Sequence, residues 1–362
     1  MSPCTTASRD LDEPLAGTAA TARTWLLLEQ PGPWGARALT SSHLDPVLGR
    51  ALEAAAEGTG VRVALIRRPG RHADCRDAHE RRVYAAHTTP GNTWLHSAVT
   101  TDPQRLLDID FASLGMGLPH TFDAALGGTA HTGDPLALVC TNGKRDRCCA
   151  LLGRPLAAEL AASGVEGVWE VTHLGGHRFS PTMLVLPYGY AYGRVQAHHV
   201  KEILQGVREG RVVTEGCRGN SAWERPGQAA ELAVRAATGE ERADVLRVVR
   251  TEGVPGVAPQ GVPGVVQTVA GDADGTARGA GARPDGAPLL EAIPRSEATP
   301  RGEATPCWKV TVAHADGRRW HVTVAQGRAL PPRPESCGSP LGSPARMDVV
   351  AVHEEAPVPV LR

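Results

Sequence analysis

Two cysteines and two histidines fall within fewer than 40 residues of this chain, and they limit what the segments around them can be. Cys140 and Cys149 are nine positions apart, with Cys148 next door. His173 and His177 are four apart and enclose Gly175-Gly176. Two thiolates and two imidazoles are enough to complete a tetrahedral metal site or to hold a [2Fe–2S] cluster. A fold that uses them has to return all four donors to loops at one end of a single unit.

The local patterns allow that. "PLALVC" is a short apolar run that reads as a buried strand ending at Cys140. "TNGKRD" reads as a loop. Cys148, Cys149 and "ALLGRPLAAELAA" read as a helix with Leu151, Leu152, Leu156 and Leu160 on one face, and Pro155 early enough to be tolerated. Cys149 then sits at a helix N-terminus, where a thiolate is favoured. "VWEVTH" alternates as a strand does, "LGGHRFSP" is a glycine loop, and "TMLVLP" and "YAYGRV" are further strands before the helix "QAHHVKEILQGVREG". The Gly-Gly pair argues against a helix between the histidines and lets the backbone curl close to a ligand.

Residue chemistry leaves three readings open. The plainest is a set of unrelated cysteines and histidines in a globular domain. A second is structural zinc: H-x3-H suits zinc, although the cysteines are farther apart than the two to four positions of a zinc knuckle. The third is a [2Fe–2S] cluster with mixed ligands, although the C-x-H pieces of a Rieske centre are absent. Spacing alone leaves zinc and iron–sulfur level.

The combination C-x8-C and H-x3-H with a Gly-Gly bend resembles the sucrase/ferredoxin-like family. The similarity is carried by "CTNGKRDRCCALLGRPLAAEL", "VWEVTHLGGHRFSPTMLVLPYGYAYGRV", "GQAAELAVR" and the opening "LLLEQPGPWG", from about Trp25 to Arg235. It implies a thioredoxin-like ferredoxin domain that binds a [2Fe–2S] cluster through Cys140, Cys149, His173 and His177, with Cys148 as the alternative to Cys149. "RPESCGSP" resembles a tail of the same family, and Cys337 within it is not assigned as a ligand.

Composition narrows the function classes. A 362-residue chain with net charge −1 and pI near 6.9 is long enough for two domains and too neutral for general binding to nucleic acid or a membrane surface. No apolar run approaches the length that spans a bilayer. The opening "MSPCTTASRDLDEPLAGTAATAR" lacks a signal-peptide core, so a cytoplasmic protein with reduced thiols is expected. Eight cysteines without C-x-x-C offer neither a disulfide framework nor a standard redox pair.

The expected fold class is α/β (an α+β sandwich): a thioredoxin-like C-terminal ferredoxin domain preceded by a second α/β half of the same kind. The expected organisation is a disordered leader over 1–23, an N-terminal α/β domain over 24–126 and the ferredoxin domain over 127–240. A helix and a low-complexity Gly/Pro/Ala-rich insertion follow over 241–306, then a β-hairpin and tail over 307–362. The order β-α-β-β-β-α recurs in the first half, with "DPQRLLDIDFASL" as its last helix. His72, Cys75 and His79 read as an ordinary charged loop, "QPGPWG" as a turn around a packed Trp34, and Cys217 as incidental.

The chain therefore reads as a non-enzymatic electron carrier or redox sensor. Lys144, Arg145 and Arg147 offer a basic patch for an acidic redox partner whose identity, like the oligomeric state, the sequence leaves open. A thioredoxin-type thiol oxidoreductase and a zinc-stabilised binding module are the alternatives. No pair of carboxylates in a glycosidase setting supports a sucrose-cleaving activity.

Overall fold

The computed structural model describes residues 3–70, 80–254 and 305–356. His72, Cys75 and His79, and most of the low-complexity insertion, lie outside the described residues.

The expected disordered leader is instead ordered. Helix α1 (Pro3–Asp10) buries Cys4, Thr5 and Ser8, and the chain continues past the buried Glu13 into β1 (Thr24–Glu29). The composition is that of a solvated segment, but its few apolar and hydroxyl side chains find a surface formed by the rest of the molecule. That surface is invisible to local sequence.

In the first half, β1 is followed by α2 (Pro46–Ala56), β2 (Val61–Arg67), β3 (Arg81–His87) and β4 (Trp94–Thr100). The expected helix over "DPQRLLDIDFASL" is interrupted. A 3-10 turn covers Pro103–Asp108, and Asp110 then caps the short α3 (Phe111–Gly115) by accepting from the amides of Ala112 and Ser113. An Asx cap in mid-sequence restarts the helix at a new angle. Helix α4 (His120–Leu126) and β5 (Thr129–Ala130) complete this half.

The second half runs β6 (Leu136–Cys140), α5 (Arg154–Ala162), β7 (Val168–Val171), β8 (Thr182–Leu186), β9 (Tyr190–Gly193), α6 (Ala197–Arg208) and β10 (Cys217–Asn220). All but β10 are the strands and helices expected from the pattern, and every residue of β6 and β8 is buried, as a continuous apolar run demands.

Both halves lie in one ten-stranded sheet, ordered β10-β9-β8-β6-β7-β2-β1-β3-β4-β5. Within each half the first two strands are parallel and the next two pairings antiparallel. The halves meet where β2 pairs antiparallel with β7 through Ile66↔Val171 and Arg67↔Glu170. At that seam Arg67 and Glu170 form a buried ion pair at 2.7 Å, and Glu170 also accepts from Thr141 Oγ1 at 2.9 Å. Arg67 lies 3.9 Å over the ring of Trp34, so the "QPGPWG" segment is a turn around a packed tryptophan.

A second sheet follows, made of β11 (Leu246–Val254), β12 (Cys307–His314), β13 (Arg319–Arg328) and β16 (Ala345–Glu354), with α7 (Arg225–Thr238) packed on it. The helix expected in "EERADVLRVVRTEG" is strand β11. A register shift between Val248 and Arg250 breaks the two-residue alternation there, which is why the run looks helical when read locally. The hairpin β12–β13 turns through Ala315 to Arg318 as expected. Between β13 and β16, β14 (Arg333–Pro334) and β15 (Leu341–Gly342) pair in a short ribbon that carries Cys337 back to the first sheet. Among the described residues no helix is long and apolar enough to cross a membrane.

Candidate functional site

The four donors singled out in the sequence meet at one end of the second half. Cys140 is the last residue of β6 and is buried. The loop after it turns back at Asp146, whose Oδ1 accepts from the Cys148 amide at 3.1 Å and whose carbonyl accepts from the Cys149 amide at 3.2 Å. Cys149 opens a π-helical turn, Cys149–Gly153, that leads into α5. This wide turn changes the helical phase, so Leu151 is half exposed while Leu156 and Leu160 are buried, in contrast to the single face expected. Gly153 allows the turn to press on the strand: a Cβ there would stand 2.2 Å from the Cys140 carbonyl oxygen.

His173 follows β7 and His177 begins a 3-10 turn, His177–Phe179. Gly175 and Gly176 between them both have left-handed backbones, with φ of +74° and +71°. The bend stacks the two imidazoles, ring centroids 4.9 Å apart and planes 28° from parallel. Cys149 Sγ lies 3.9 Å from His177 Nδ1, and Cys140 faces both Cys149 and His173. The Nδ1 of His173 is buried and makes no hydrogen bond. A buried nitrogen without a partner beside two thiols is a costly arrangement in a protein interior unless a ligand completes it.

The electrostatics suit ligation. The Cys149 thiol, the His173 ring and the Leu174 amide hold the Cys140 thiol well below its ordinary value, against the cost of burial. Cys149, which keeps the shared proton, is pushed up. Burial pushes His177 down, so the neutral, metal-binding form prevails near neutral pH. Two guanidiniums back the thiols. Arg62 donates to the His173 carbonyl at 2.7 Å, and Arg218, fully buried, donates to the Gly175 carbonyl at 3.1 Å. Neither has a carboxylate partner among the described residues, and both feel the charge of Cys140. Burial lowers Arg218 to about 10, which leaves it a cation.

Cys148 does not join this group. Its sulfur points the other way, to Cys4 at 3.2 Å and Cys337 at 3.1 Å. Cys217 lies in the core of the second half, its thiol pushed up to about 12 by burial. Sequence reasoning missed Asp146, whose Oδ2 stands 3.6 Å from His177 Nδ1, and it missed Arg62 and Arg218. Asp146 lies two residues before the cysteine pair, so a capping signal was present. Nothing local marks the two arginines. Lys144, Arg145 and Arg147 are exposed on the loop, beside the exposed Leu151.

The model of one family, described as Sucrase/ferredoxin-like, matches residues 15–219, more than half of the chain and all four converging donors. Neither the curated proteins nor the solved structures contain a significant match. The chain belongs to the sucrase/ferredoxin-like family.

Proposed function

We propose that this chain is an electron-transfer protein that holds a [2Fe–2S] cluster through Cys140, Cys149, His173 and His177. The observation that carries the reading is the convergence of two buried thiols on two stacked imidazoles, one of them with a buried Nδ1 that makes no hydrogen bond. When bound, such a cluster carries one electron, and imidazole in place of two thiolates raises its potential above that of all-cysteine ferredoxins.

The spread of the donors favours a two-metal cluster over one zinc ion. A single tetrahedral zinc draws its donor atoms to within roughly 4 Å of one another. The groups of three or more that gather within 4.8 Å among the described residues are Asp146–Cys149–His177 and Cys4–Cys148–Cys337; the quartet as a whole is wider. The residues around it do three things. Buried Arg62 and Arg218 oppose negative charge at the thiols. Asp146 holds the start of the π turn. The exposed Lys144, Arg145 and Arg147 present positive charge to an acidic partner. The strand order within each half supports its description as thioredoxin-like, and the need for reduced thiols fits a cytoplasmic location.

A thiol enzyme is less well supported. Cys149 and Asp146 both approach the same nitrogen of His177, so the ring cannot be oriented through one nitrogen while acting as base through the other. The Cys149 thiol is also raised, and Cys140, whose thiol is lowered, is only 1% exposed, so neither presents an activated nucleophile to solvent.

The test is the visible spectrum of the full chain purified without air, with iron and acid-labile sulfide analysis. Red-brown protein with iron and sulfide in equal amounts is expected. Colourless protein that carries zinc on the quartet would refute the reading.

A further inference from the structure

Three cysteines that no part of the proposed cluster uses meet a few ångströms away. Cys4 comes from α1, Cys148 from the start of the helix after β6, and Cys337 from the ribbon between β14 and β15. Their sulfurs are separated by 3.2 Å (Cys4 to Cys148), 3.1 Å (Cys148 to Cys337) and 3.8 Å (Cys4 to Cys337). Cys4 and Cys148 are each 1% exposed and Cys337 is half-buried. Asp146 borders the group: its Oδ1 accepts from Cys337 Sγ at 3.0 Å and its Oδ2 from the Cys337 amide at 3.2 Å.

We propose that Cys4, Cys148 and Cys337 form a second metal site, distinct from the quartet, that binds a single thiophilic divalent ion of the zinc type. The spacing selects one ion. A zinc–sulfur bond of about 2.3 Å in tetrahedral geometry sets sulfurs about 3.8 Å apart. The Cys4–Cys337 separation already has that value, and the other two open by about 0.6 and about 0.7 Å. A second polynuclear cluster needs its cysteines much farther apart. Asp146 accepts from Cys337 but is not among the three donors that gather within 4.8 Å, which leaves the fourth position to a ligand from solvent. Each thiol gives up its proton as it binds, so three protons leave as one ion enters.

The ordering of the two chain ends gives the site its purpose. The three cysteines lie 144 and 189 positions apart along the chain. Buried Glu13 already draws the same segments together, with Oε1 on Arg178 at 2.8 Å and Oε2 on Arg333 at 3.0 Å. A metal on the trithiol therefore clips the leader and the C-terminal ribbon over the loop that carries Cys149. Asp146 touches both sites, through Cys337 on one side and His177 on the other.

The inference is independent of the cluster assignment, and metal analysis separates the two. The full chain is produced with zinc in the medium, purified without air and analysed for zinc and iron. One zinc per chain is expected in the wild type. Cys4→Ser and Cys337→Ser are expected to lose at least nine-tenths of it while their iron stays at the wild-type level, and Cys307→Ser, a core cysteine of the second sheet, is expected to keep both. Titration with Co2+ of wild-type protein that holds iron but was produced without added zinc checks the site without any variant: thiolate-to-cobalt absorption, read as a difference spectrum, should saturate at one equivalent. Wild type without zinc, zinc retained by both serine variants, or zinc lost on Cys140→Ser alone would each overturn the proposal. So would a Cys148–Cys337 disulfide in peptide maps of the anaerobic protein.

Discussion

Arg178 Nε donates to Glu13 Oε1 at 2.8 Å, which ties the residue after His177 to a leader 165 positions earlier in the chain. Both groups are buried, and Arg333 completes a three-membered ion cluster from the other end of the molecule. The loop that carries His177 is thus braced by segments outside the matched family region as well as by its own sheet.

Removing the shared anion should release both ends. Glu13→Gln leaves two buried guanidiniums without their countercharge, which costs on the order of 3–5 kcal/mol. Hydrogen exchange over residues 3–15 and 333–337 is expected to rise sharply, with much less change in β6 and β8. Burial works to raise the Glu13 carboxyl, but its hydrogen bonds and ion pairs with Arg333 and Arg178 outweigh it and hold the group below its ordinary value. The stabilisation is therefore present above the ordinary carboxylate range and lost as pH falls through the lowered value. Unchanged exchange in the variant at neutral pH would show that the clamp is dispensable.

A single added methyl group should damage the candidate cluster site. At Gly176 the backbone is left-handed, and a Cβ would fall 2.1 Å from the Arg218 guanidinium. Gly176→Ala is expected to lose most of its iron while keeping wild-type far-ultraviolet dichroism. The exposed Gly164, with an equally left-handed backbone and open space around it, is the control: Gly164→Ala should keep its iron. Equal iron in both variants would mean that the bend is not part of the site.

The two buried guanidiniums should set the potential of whatever anionic group the thiols hold. Arg62→Met removes a cation that donates to the His173 carbonyl and faces Cys140. One-electron potentiometry is expected to show a fall on the order of 60–100 mV, the size of a unit charge several ångströms away in a medium of effective dielectric about 20. Arg105→Met, in the first half and away from the site, should leave the potential unchanged. A potential that rises, or moves equally in both variants, would count against this role.

Acid should weaken the fold through a buried histidine of the first half. His87 is buried against Thr24 Oγ1 at 2.8 Å, and burial, helped by the charge of Arg23, pushes it down to about 4. The unfolded chain takes up this proton near 6.5 and the folded chain does not. Stability is therefore lost as pH falls from about 6.5 towards 4, by about 3 kcal/mol in total. Urea melts of wild type and His87→Asn across that window provide the measurement. The variant should show a flatter dependence, and identical slopes would assign the acid sensitivity to another group.

Much of the site was legible because its parts are local. The apolar runs before Cys140 and His173, the Asn-Gly and Gly-Gly loops and the helix after Cys149 each follow from a few neighbouring residues. Alternation and turn chemistry are short-range effects, so they placed β6, β7 and β8 and set the quartet at one end. Three features depended on tertiary structure. The direction in which Cys148 points was settled by the π turn and by two sulfurs far away in the chain. The order of the leader was settled by Glu13, whose partners Arg178 and Arg333 lie far along the chain. The strand β11 was settled by pairing with β12 across a long stretch of sequence, against a local pattern that a bulge made look helical. In each case the deciding energy is a buried contact between distant segments, and no window of neighbouring residues contains both partners.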